Sequence, residues 1–527
     1  MWARYHPVVW WILAIKALFG LSFTLLIPMY RGPDESQHVD MIKWYQSNPG
    51  YPDPTQHTEW SPGVVASEHL VSSGGRPRPP QHPADAVPRP DRPPLAELEA
   101  QARPRARGNH MSQHPPLFYA TAATSSSVTS LLPEHVWSWD REVYLYRLVT
   151  WLTFVSLPVL AAEAALALGL ARVFTAVAAA VTLLIPMTTF IGAVVNNDGL
   201  AVTFASLAVV GALAYLNRGG LRWAAVTAVG AAGAPLTKST AAPIVVWALL
   251  VVVIAVIRRS GWRPSRDAVR HLAVVGLGAL IGLSWQIANV LRFADPQPNG
   301  FEFRRGQGFD ASVTDFLRVW IPRVSESFWG QPARRTGVTL APWMTTSLTV
   351  AAVVMCLYAI VRGRGRGWST ALLTLLIVGQ IALMLRTNWN AHLRHAQFPG
   401  LQGRYLFALV VPMAALMTMG VAALLGRRSE ARAVPVAAAI AGAGVGLHTF
   451  LGWSMLTGGY WADDGAGVTG QIRAVVAWSP LPAAMTMATF LVTGLVAALA
   501  GLATTAGLRA SAAVHPKAVD VAEAGSR

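Results

Sequence analysis

The sequence is poor in charge, in lysine and in cysteine. Only 13% of its 527 residues are charged, whereas soluble domains carry about 25%. The single cysteine, Cys356, lies inside an apolar run, so the sequence excludes a disulfide framework and a cysteine-based metal site within one chain. Four of the 42 basic residues are lysines. We attribute this uniform preference for arginine to coding bias and infer no phosphate chemistry from it.

The motifs of nucleotide-dependent soluble enzymes are also missing from the sequence. It has no Walker lysine loop, no dinucleotide-binding glycine fingerprint after a strand and no Gly-x-Ser-x-Gly elbow. An ATP-driven pump is therefore disfavoured. A convincing internal repeat, which would favour a secondary transporter, is absent as well.

Apolar residues make up 53% of the chain, and the mean hydropathy is +0.41. These values indicate a polytopic membrane protein. The formal charge of +16 does not indicate nucleic-acid binding, because basic residues of membrane proteins collect in cytoplasmic loops and at anionic headgroups.

The apolar runs predict an all-α bundle of about 12 transmembrane helices. The first run, 8–29, has no small-residue cleavage site after it and is interpreted as a retained span. Residues 116–132 are rich in Ser and Thr and are interpreted as re-entrant or interfacial. With both termini cytoplasmic, the clusters of arginine then fall on the inner side, in accord with the positive-inside rule. The other predicted spans are 147–168, 173–190, 199–216, 222–236, 240–257, 271–291, 343–361, 368–386, 405–425, 434–452 and 483–506.

This topology divides the chain into six regions. The longest loops, 30–146 and 292–342, are predicted to be extracytoplasmic. The first of them includes an interfacial helix near 39–45 and a Pro/Arg-rich insert, 49–107, whose composition predicts extended or disordered chain. The regions are 1–29, the N-terminus and first span; 30–146; 147–291, the transmembrane core; 292–342; 343–508, the C-terminal spans; and 509–527, a disordered cytoplasmic tail.

The most informative motif is Arg31-Gly-Pro-Asp-Glu-Ser-Gln-His38, directly after the first span. If a helix restarts at Pro33, then Asp34, Glu35 and His38 share one face. Two carboxylates and an imidazole could activate a hydroxyl group or bind a divalent cation. The alternative is an ordinary helix start, which also favours proline and acidic residues.

Further candidates fall on the same predicted side of the membrane. Asp198 in Asn196-Asn-Asp-Gly could be a second acid or, with Asp34, a metal ligand; the alternative is a turn or helix cap. Lys238 and Arg404 could bind a phosphate, although both could simply extend to headgroups. Tyr405 beside Arg404 fits an interfacial belt.

Aromatic and histidine residues of the outer loops are weaker candidates. Trp329, in Ser327-Phe-Trp-Gly, could stack on a sugar, although interfacial tryptophans usually act as anchors. His110 and His114 could join a metal site, but their spacing follows no specific ligand pattern.

The order of these motifs resembles the bacterial membrane family called domain of unknown function 2142. Pro33-Asp-Glu-Ser-Gln-His38 also resembles the first-loop Asp-Glu motif of GT-C glycosyltransferases. The matching motifs span about residues 30 to 425. They are Pro-Asp-Glu-x-x-His, His114-Pro-Pro-Leu-Phe-Tyr, Asn-Asn-Asp198, Lys238, Ser327-Phe-Trp-Gly and Gln402-Gly-Arg-Tyr-Leu-Phe.

The resemblance implies a GT-C-like fold and a transferase that uses a polyprenyl-phosphate-linked sugar on the extracytoplasmic face. Asp34 or Glu35 would be the base or a metal ligand, and Asp198 would assist. Lys238 and Arg404 would contact the phosphate, with His38, His114, Trp329 and Tyr405 as further substrate contacts. The implied partners are the lipid-linked donor, a cell-envelope glycan or lipid acceptor and membrane lipids.

The resulting hypothesis is an inverting membrane glycosyltransferase of the bacterial plasma membrane, with a divalent metal such as Mg²⁺ or Mn²⁺ as a possible cofactor. The alternative is a transporter or flippase of lipid-linked saccharides. A flippase should carry its charged groups deep within spans, whereas most candidates here fall at one surface.

Overall fold

A computed structural model describes most of the chain. The described residues are 4–48, 50–55, 58–71, 81–101, 105–125, 128, 131, 133, 137–298, 312–332, 338–363, 367–395, 398, 400–426, 429–461, 465 and 467–513. Within them the protein is almost entirely helical, with one small two-stranded sheet.

Twenty α-helices follow one another along the described chain. They are α1 (Val8–Leu26), α2 (Glu35–Ser47), α3 (Pro62–Leu70), α4 (Leu95–Gln101), α5 (Leu117–Ala123), α6 (Trp139–Phe154), α7 (Leu157–Ala167), α8 (Phe174–Val181), α9 (Pro186–Gly192), α10 (Asp198–Arg218), α11 (Leu221–Thr237), α12 (Ala242–Ser260), α13 (Arg266–Phe293), α14 (Val313–Trp329), α15 (Pro342–Arg362), α16 (Gly367–His395), α17 (Val410–Leu425), α18 (Ser429–Thr457), α19 (Gly467–Trp478) and α20 (Ala483–Ala513).

Ten of the described helical segments are long and apolar enough to cross a membrane, which confirms the predicted all-α polytopic class. An eleventh candidate is the pair 174–184 and 186–192, which bends by 69° at Pro186. The remaining predicted span, 222–236, forms α11, a helix of 17 residues. Helix α11 packs tightly between α10 and α13, where glycines allow close approach.

The second span begins earlier than the sequence predicts. We placed its start at Arg147, because a charged residue usually marks the end of an apolar run. In the structure α6 already begins at Trp139, so Arg147 lies inside the candidate span Trp139–Ala167. A fully buried ion pair with Glu35 compensates the charge of Arg147, which makes this position tolerable.

The Pro/Arg-rich insert contradicts the prediction of extended or disordered chain in the parts that the structure describes. Strand β1 (Thr58–Trp60) pairs antiparallel with β2 (Arg105–Asn109), and α3 and α4 pack against each other. The few apolar residues of the insert explain this order, since they are buried together with the ends of α1 and α2. They include Trp60, Val64, Leu95 and Leu98.

The described residues form two large hydrophobic clusters and a third with three buried residues, Ala231, Val245 and Ala279. The largest lies among the spans, and the second fills the first long loop, where α2 to α6 meet. Helix α2 is longer than the predicted interfacial helix at 39–45. Of the predicted tail, residues 509–513 form the end of α20, and residues 514–527 lie outside the described residues.

Candidate active site at the ends of the first span and of helix α10

Glu35 anchors the acidic motif to the transmembrane bundle. Its two carboxylate oxygens accept bonds from Arg147 at 2.7 and 2.8 Å, and both side chains are fully buried. The same guanidinium donates to the carbonyl oxygens of Thr24, Ile27 and Pro28 at the end of α1. The carboxylate also accepts the backbone N–H groups of Gly32 and Val195. With its acceptor capacity used in this way, Glu35 is a structural residue, and we withdraw it as a candidate base.

Asp34 is the accessible acid of the motif. Its backbone adopts a left-handed conformation, with φ of 57°, directly before α2, and such a conformation in a non-glycine residue often marks a functional position. Its side chain is 36% exposed, and Oδ2 accepts a bond from Nη2 of Arg404 at 3.0 Å. Asp34 is therefore positioned by Arg404 while one side of its carboxylate faces the outside.

Asp198 lies at the start of α10, opposite the same arginine. Its Oδ1 forms a short ion pair with Nζ of Lys238, and its Oδ2 lies 3.7 Å from Nη1 of Arg404. All three side chains are almost completely buried. Neither Oδ2 of Asp198 nor Nη1 of Arg404 has a hydrogen-bond partner among the described residues. This pair of atoms is therefore available to a ligand.

Tyr405 supports both cations of the site. The Tyr405 ring centroid is 5.1 Å from Nζ of Lys238 and 5.7 Å from the guanidinium carbon of Arg404, within the range of cation–π attraction. Gln402 accepts a hydrogen bond from Nε of Arg404. Within Gln402-Gly-Arg-Tyr405, the side chains of Gln402 and Tyr405 therefore both contact Arg404. The site is one cluster of five residues, namely Asp34, Asp198, Lys238, Arg404 and Tyr405.

His38 and His114 lie close to this cluster and differ in the hydrogen bonds of their ring nitrogens. His38 forms a hydrogen bond to the hydroxyl of Tyr119 at 2.9 Å, and Asn196 donates to its Nε2 at 3.4 Å. Nδ1 of His114 has no partner within the described part of the chain. Burial lowers the pKa of both imidazoles well below the usual range, and the charges of Lys238 and Arg404 add to this. Both side chains are therefore neutral at pH 7.

Trp329 lies apart from the carboxylates. Its indole N–H donates to the hydroxyl of Thr349 at 2.7 Å, and its ring lines an apolar groove among α14 to α17. The sugar-stacking role that we predicted for Trp329 is not supported by this position. A role at the apolar part of a substrate fits it better.

The site does not have the donor set of a metal centre. Over the described residues, no three His, Cys, Asp or Glu side chains come together in a way that could hold a metal ion. Asp34 and Asp198, the predicted metal ligands, instead share the guanidinium of Arg404, and Asp198 also pairs with Lys238. The two carboxylates are therefore already paired with protein cations.

A basic cavity of about 480 Å³ opens beside Arg404. Arg31 and Arg323 line it together with Arg404, and Ser327, Gln331 and Gln402 contribute uncharged polar groups. Three guanidinium groups around one cavity favour an anionic ligand, since arginine pairs well with phosphate oxygens.

An apolar groove of about 310 Å³ runs along the same helix, α14. Val324 and Phe328 of α14 line the groove, whereas Arg323 and Ser327 of α14 line the basic cavity. Leu406 lies in the groove two residues after Arg404. A polar compartment and an apolar compartment therefore adjoin along one helix and one connecting segment.

Comparison with known proteins identifies the family. The model of a family described as "Predicted membrane protein (DUF2142)" matches residues 17–413, which is most of the chain and contains every residue of the cluster. The chain belongs to the DUF2142 family. This membership and the candidate spans show a multi-pass membrane protein. No curated protein matches this DUF2142 sequence.

Two solved structures show a distant overall likeness to this DUF2142 protein. ArnT from Cupriavidus metallidurans, bound to undecaprenyl phosphate, is 13% identical with a TM-score of 0.45; the match covers 94% of this chain and 77% of that one. The oligosaccharyltransferase of Archaeoglobus fulgidus, tethered with an acceptor peptide, is 10% identical with a TM-score of 0.42. That match covers 88% of this chain and 56% of that one.

Sequence reasoning assigned no role to Arg147, Arg31 or Arg323, although it did select Arg404 of the same cavity. Arg147 could have been found as a charged residue inside an apolar run, a feature that usually marks a pairing or a functional role. Arg31 and Arg323 carry no such signal, because loops of this protein are rich in arginine throughout.

Proposed function

We propose that this DUF2142 protein is a membrane glycosyltransferase that moves a sugar from a polyprenyl phosphate to a cell-envelope acceptor on the extracytoplasmic face, with inversion at the anomeric carbon. The observation that carries the proposal is the cluster in which Arg404 joins Asp34 to Asp198, beside a basic cavity. The first-loop motif Pro33-Asp-Glu-Ser-Gln-His38, which resembles the Asp-Glu motif of GT-C glycosyltransferases, supports the same class.

Arg404 and Lys238 would hold the phosphate of the donor. Nη1 of Arg404 has no hydrogen-bond partner among the described residues, and the Arg404 side chain lines the basic cavity. Departure of the lipid phosphate creates a phosphate monoester dianion, and preorganised cations in a buried site stabilise such developing charge. Asp198 would keep Lys238 charged and oriented until the phosphate binds.

The apolar groove along α14 would take the first isoprene units of the lipid. Its wall is formed by aliphatic and aromatic side chains, including Trp329, and it adjoins the basic cavity through α14. A lipid phosphate matches this arrangement, because its anionic head would lie in the basic cavity and its apolar chain in the adjoining groove.

Asp34 would act as the general base. Its carboxylate accepts the proton of an acceptor hydroxyl, and the oxygen of that hydroxyl bonds to the anomeric carbon as the bond from this carbon to the phosphate oxygen breaks. The electron pair of the broken bond leaves with the lipid phosphate. Asp34 is suited to this role because it is the exposed acid, whereas Glu35 and Asp198 are buried in ion pairs.

The proposal predicts that the two protein cations suffice for the phosphate. EDTA should leave transfer unchanged, because Arg404 and Lys238 already neutralise the site. If EDTA abolishes transfer and Mg²⁺ or Mn²⁺ restores it, then Asp34 and Asp198 are metal ligands, as the sequence suggested.

The direct test uses the purified protein in lipid vesicles, radiolabelled polyprenyl-phosphate sugars and an envelope extract as the acceptor. Wild-type protein should transfer the label, and Arg404→Lys should transfer far less, since lysine keeps the charge but cannot bridge Asp34 and Asp198. Arg318→Lys is the matched control, because among the described residues Arg318 forms an ion pair only with Asp315, on the exposed face of α14.

Two results would contradict the proposal. Full transfer by the Asp34→Asn variant would show that Asp34 is not the general base. Labelled lipid that crosses the bilayer without any transfer product would favour a flippase instead.

A further inference from the structure

Three buried amide side chains form hydrogen bonds to the backbone of the turn that carries Lys238. They come from three separate elements, namely the start of α10, the outer half of α13 and the middle of α16. Each donates its NH₂ group to a backbone carbonyl oxygen around the end of α11. The bonds run from Asn197 to Thr237 (3.3 Å), from Gln286 to Pro235 (3.0 Å) and from Gln380 to Thr240 (3.1 Å).

Each of these amides leaves its oxygen atom unbonded. The side-chain oxygens of Asn197, Gln286 and Gln380 are buried and have no hydrogen-bond partner among the described residues. The NH₂ group of Asn289 is in the same state, and it lies three residues after Gln286 on the same face of α13. Ser239 adds an unbonded buried hydroxyl within the turn itself.

Such a set of atoms is costly unless something binds it, because buried polar atoms in folded proteins are almost always hydrogen-bonded. The set lies beside Lys238, which pairs with Asp198 in the active-site cluster. It consists mainly of acceptors on neutral side chains, with an amide donor and a hydroxyl. Sugar hydroxyl groups are both donors and acceptors, so they can bond to each kind of atom in this set.

We propose that Asn197, Gln286, Gln380 and Asn289 form the binding site for the hydroxyl groups of the transferred sugar, and that this sugar is uncharged. The inference rests on the proposed function and names its substrate class. An amino or a carboxylate group on the sugar would enter a buried site whose free atoms are neutral, and it would lack a charged partner there. Lys238 and Asp198 neutralise each other and belong to the phosphate end of the site.

The test compares binding of two lipids that differ only in the sugar. The probes are a radiolabelled polyprenyl phosphate that carries a neutral hexose and the same polyprenyl phosphate without sugar. Binding is measured on the full-length protein in detergent, so no acceptor is needed. In the wild type, the sugar should tighten binding.

The variants Gln286→Met and Gln380→Met keep side-chain length and remove the hydrogen-bonding groups. Each should weaken binding of the hexose-bearing lipid by about 10-fold, the effect expected for loss of one hydrogen bond. Binding of the sugar-free lipid phosphate should stay unchanged. Ser284→Ala is the control on the same helix, since Ser284 is exposed and bonds only to its own helix.

Three results would overturn the inference. Equal affinity of wild type for the two lipids would show that the amides bind only water. Equal weakening of both lipids in the variants would show that the amides merely hold the turn of Lys238. Tighter binding of an amino or acidic sugar than of the neutral hexose would contradict the substrate class. Failure of the proposed function is distinguishable in the transfer assay, where the wild type would then move no label to an acceptor even if it binds both lipids.

Discussion

Asp34 and Glu35 are neighbours in sequence but have different surroundings. Arg147 and two backbone N–H groups surround Glu35 in the interior, whereas Asp34 meets a single guanidinium at the edge of the site. Sequence alone left the two acids equivalent, because the partner of Glu35 lies 112 residues away. Long-range pairing of this kind has no local signature.

Substitution of these neighbours should separate stability from catalysis. Glu35→Gln should destabilise the protein by about 3–5 kcal/mol, because Arg147 remains buried without a countercharge. Asp34→Asn should change the free energy of unfolding by less than about 0.5 kcal/mol, yet lower turnover roughly 10²–10⁴-fold. Thermal unfolding in detergent and sugar transfer are the two measurements. A stable and active Glu35→Gln variant would refute the structural role of Glu35.

The buried histidines should make stability depend on pH. Because burial depresses the pKa of His38 and His114 in the folded state, the unfolded chain takes up protons first as the pH falls. The contribution of the two neutral histidines to the free energy of unfolding is therefore fully present above about pH 6.5. Below that pH the free energy of unfolding falls by about 1.4 kcal/mol per histidine and pH unit. The loss stops once the pH passes below the folded-state pKa values.

Chemical denaturation in detergent between pH 7 and pH 5 would measure this slope. The double variant His38→Gln/His114→Gln should flatten it, since neither replacement can be protonated. An unchanged slope in that variant would show that other groups cause the pH dependence.

At the scale of single elements, apolar runs were a good guide and composition was a poor one. The run 199–216 became α10, Asp198–Arg218, and the run 405–425 lies within the candidate span Gly403–Leu425, because only a helix satisfies the backbone in a bilayer. The insert misled us, since its many prolines obscured a few apolar residues such as Trp60 and Leu95, which are sufficient to bury a small core against α2.

The contact between α11 and α13 gives a matched pair of glycine substitutions. A Cβ atom at Gly282 would lie 2.2 Å from the carbonyl oxygen of Ala231, whereas one at Gly276 would meet nothing within 4 Å. Gly282→Ala should therefore destabilise the protein by about 1–3 kcal/mol through overpacking. Gly276→Ala should be neutral or slightly stabilising, by up to about 1 kcal/mol.

Thermal unfolding of both variants in detergent would test this prediction. Because Gln286 lies one turn beyond Gly282, the Gly282→Ala variant should also bind the hexose-bearing lipid less tightly. Equal stability of the two variants would mean that the helices can separate without cost.

At the scale of the whole molecule, the first long loop is fastened to the end of α19 and to the segment before α20. Arg92 pairs with buried Asp140 and donates to the carbonyl oxygens of Ala477 and Ser479 at 2.6 and 3.0 Å. Arg89 donates to the carbonyl oxygen of Ser479 as well, at 2.9 Å. The sequence could not show this fastening, because arginines of the insert are numerous and look alike.

Arg92→Met should loosen this connection. The variant loses the ion pair and both bonds to the segment before α20, so hydrogen exchange should become faster in 81–101 and in 476–479. Mass spectrometry of the exchanged protein would measure it. Gln101→Ala is the control, since Gln101 is exposed and bonds only to Glu97 in the same helix. Identical exchange in wild type and Arg92→Met would contradict the proposed fastening.

The ion pair between Asp34 and Arg404 can form only late during translation of the chain. Its partners are 370 residues apart, whereas Glu35 and Arg147 are separated by 112. At about 5–20 residues per second on the ribosome, Arg404 emerges roughly 20–70 s after Asp34. The ion pair between Glu35 and Arg147 can therefore form early, whereas the ion pair between Asp34 and Arg404, which completes the site, forms late. During that interval the nascent protein holds the acidic motif without Arg404, so a truncated product of translation could not carry out the proposed transfer.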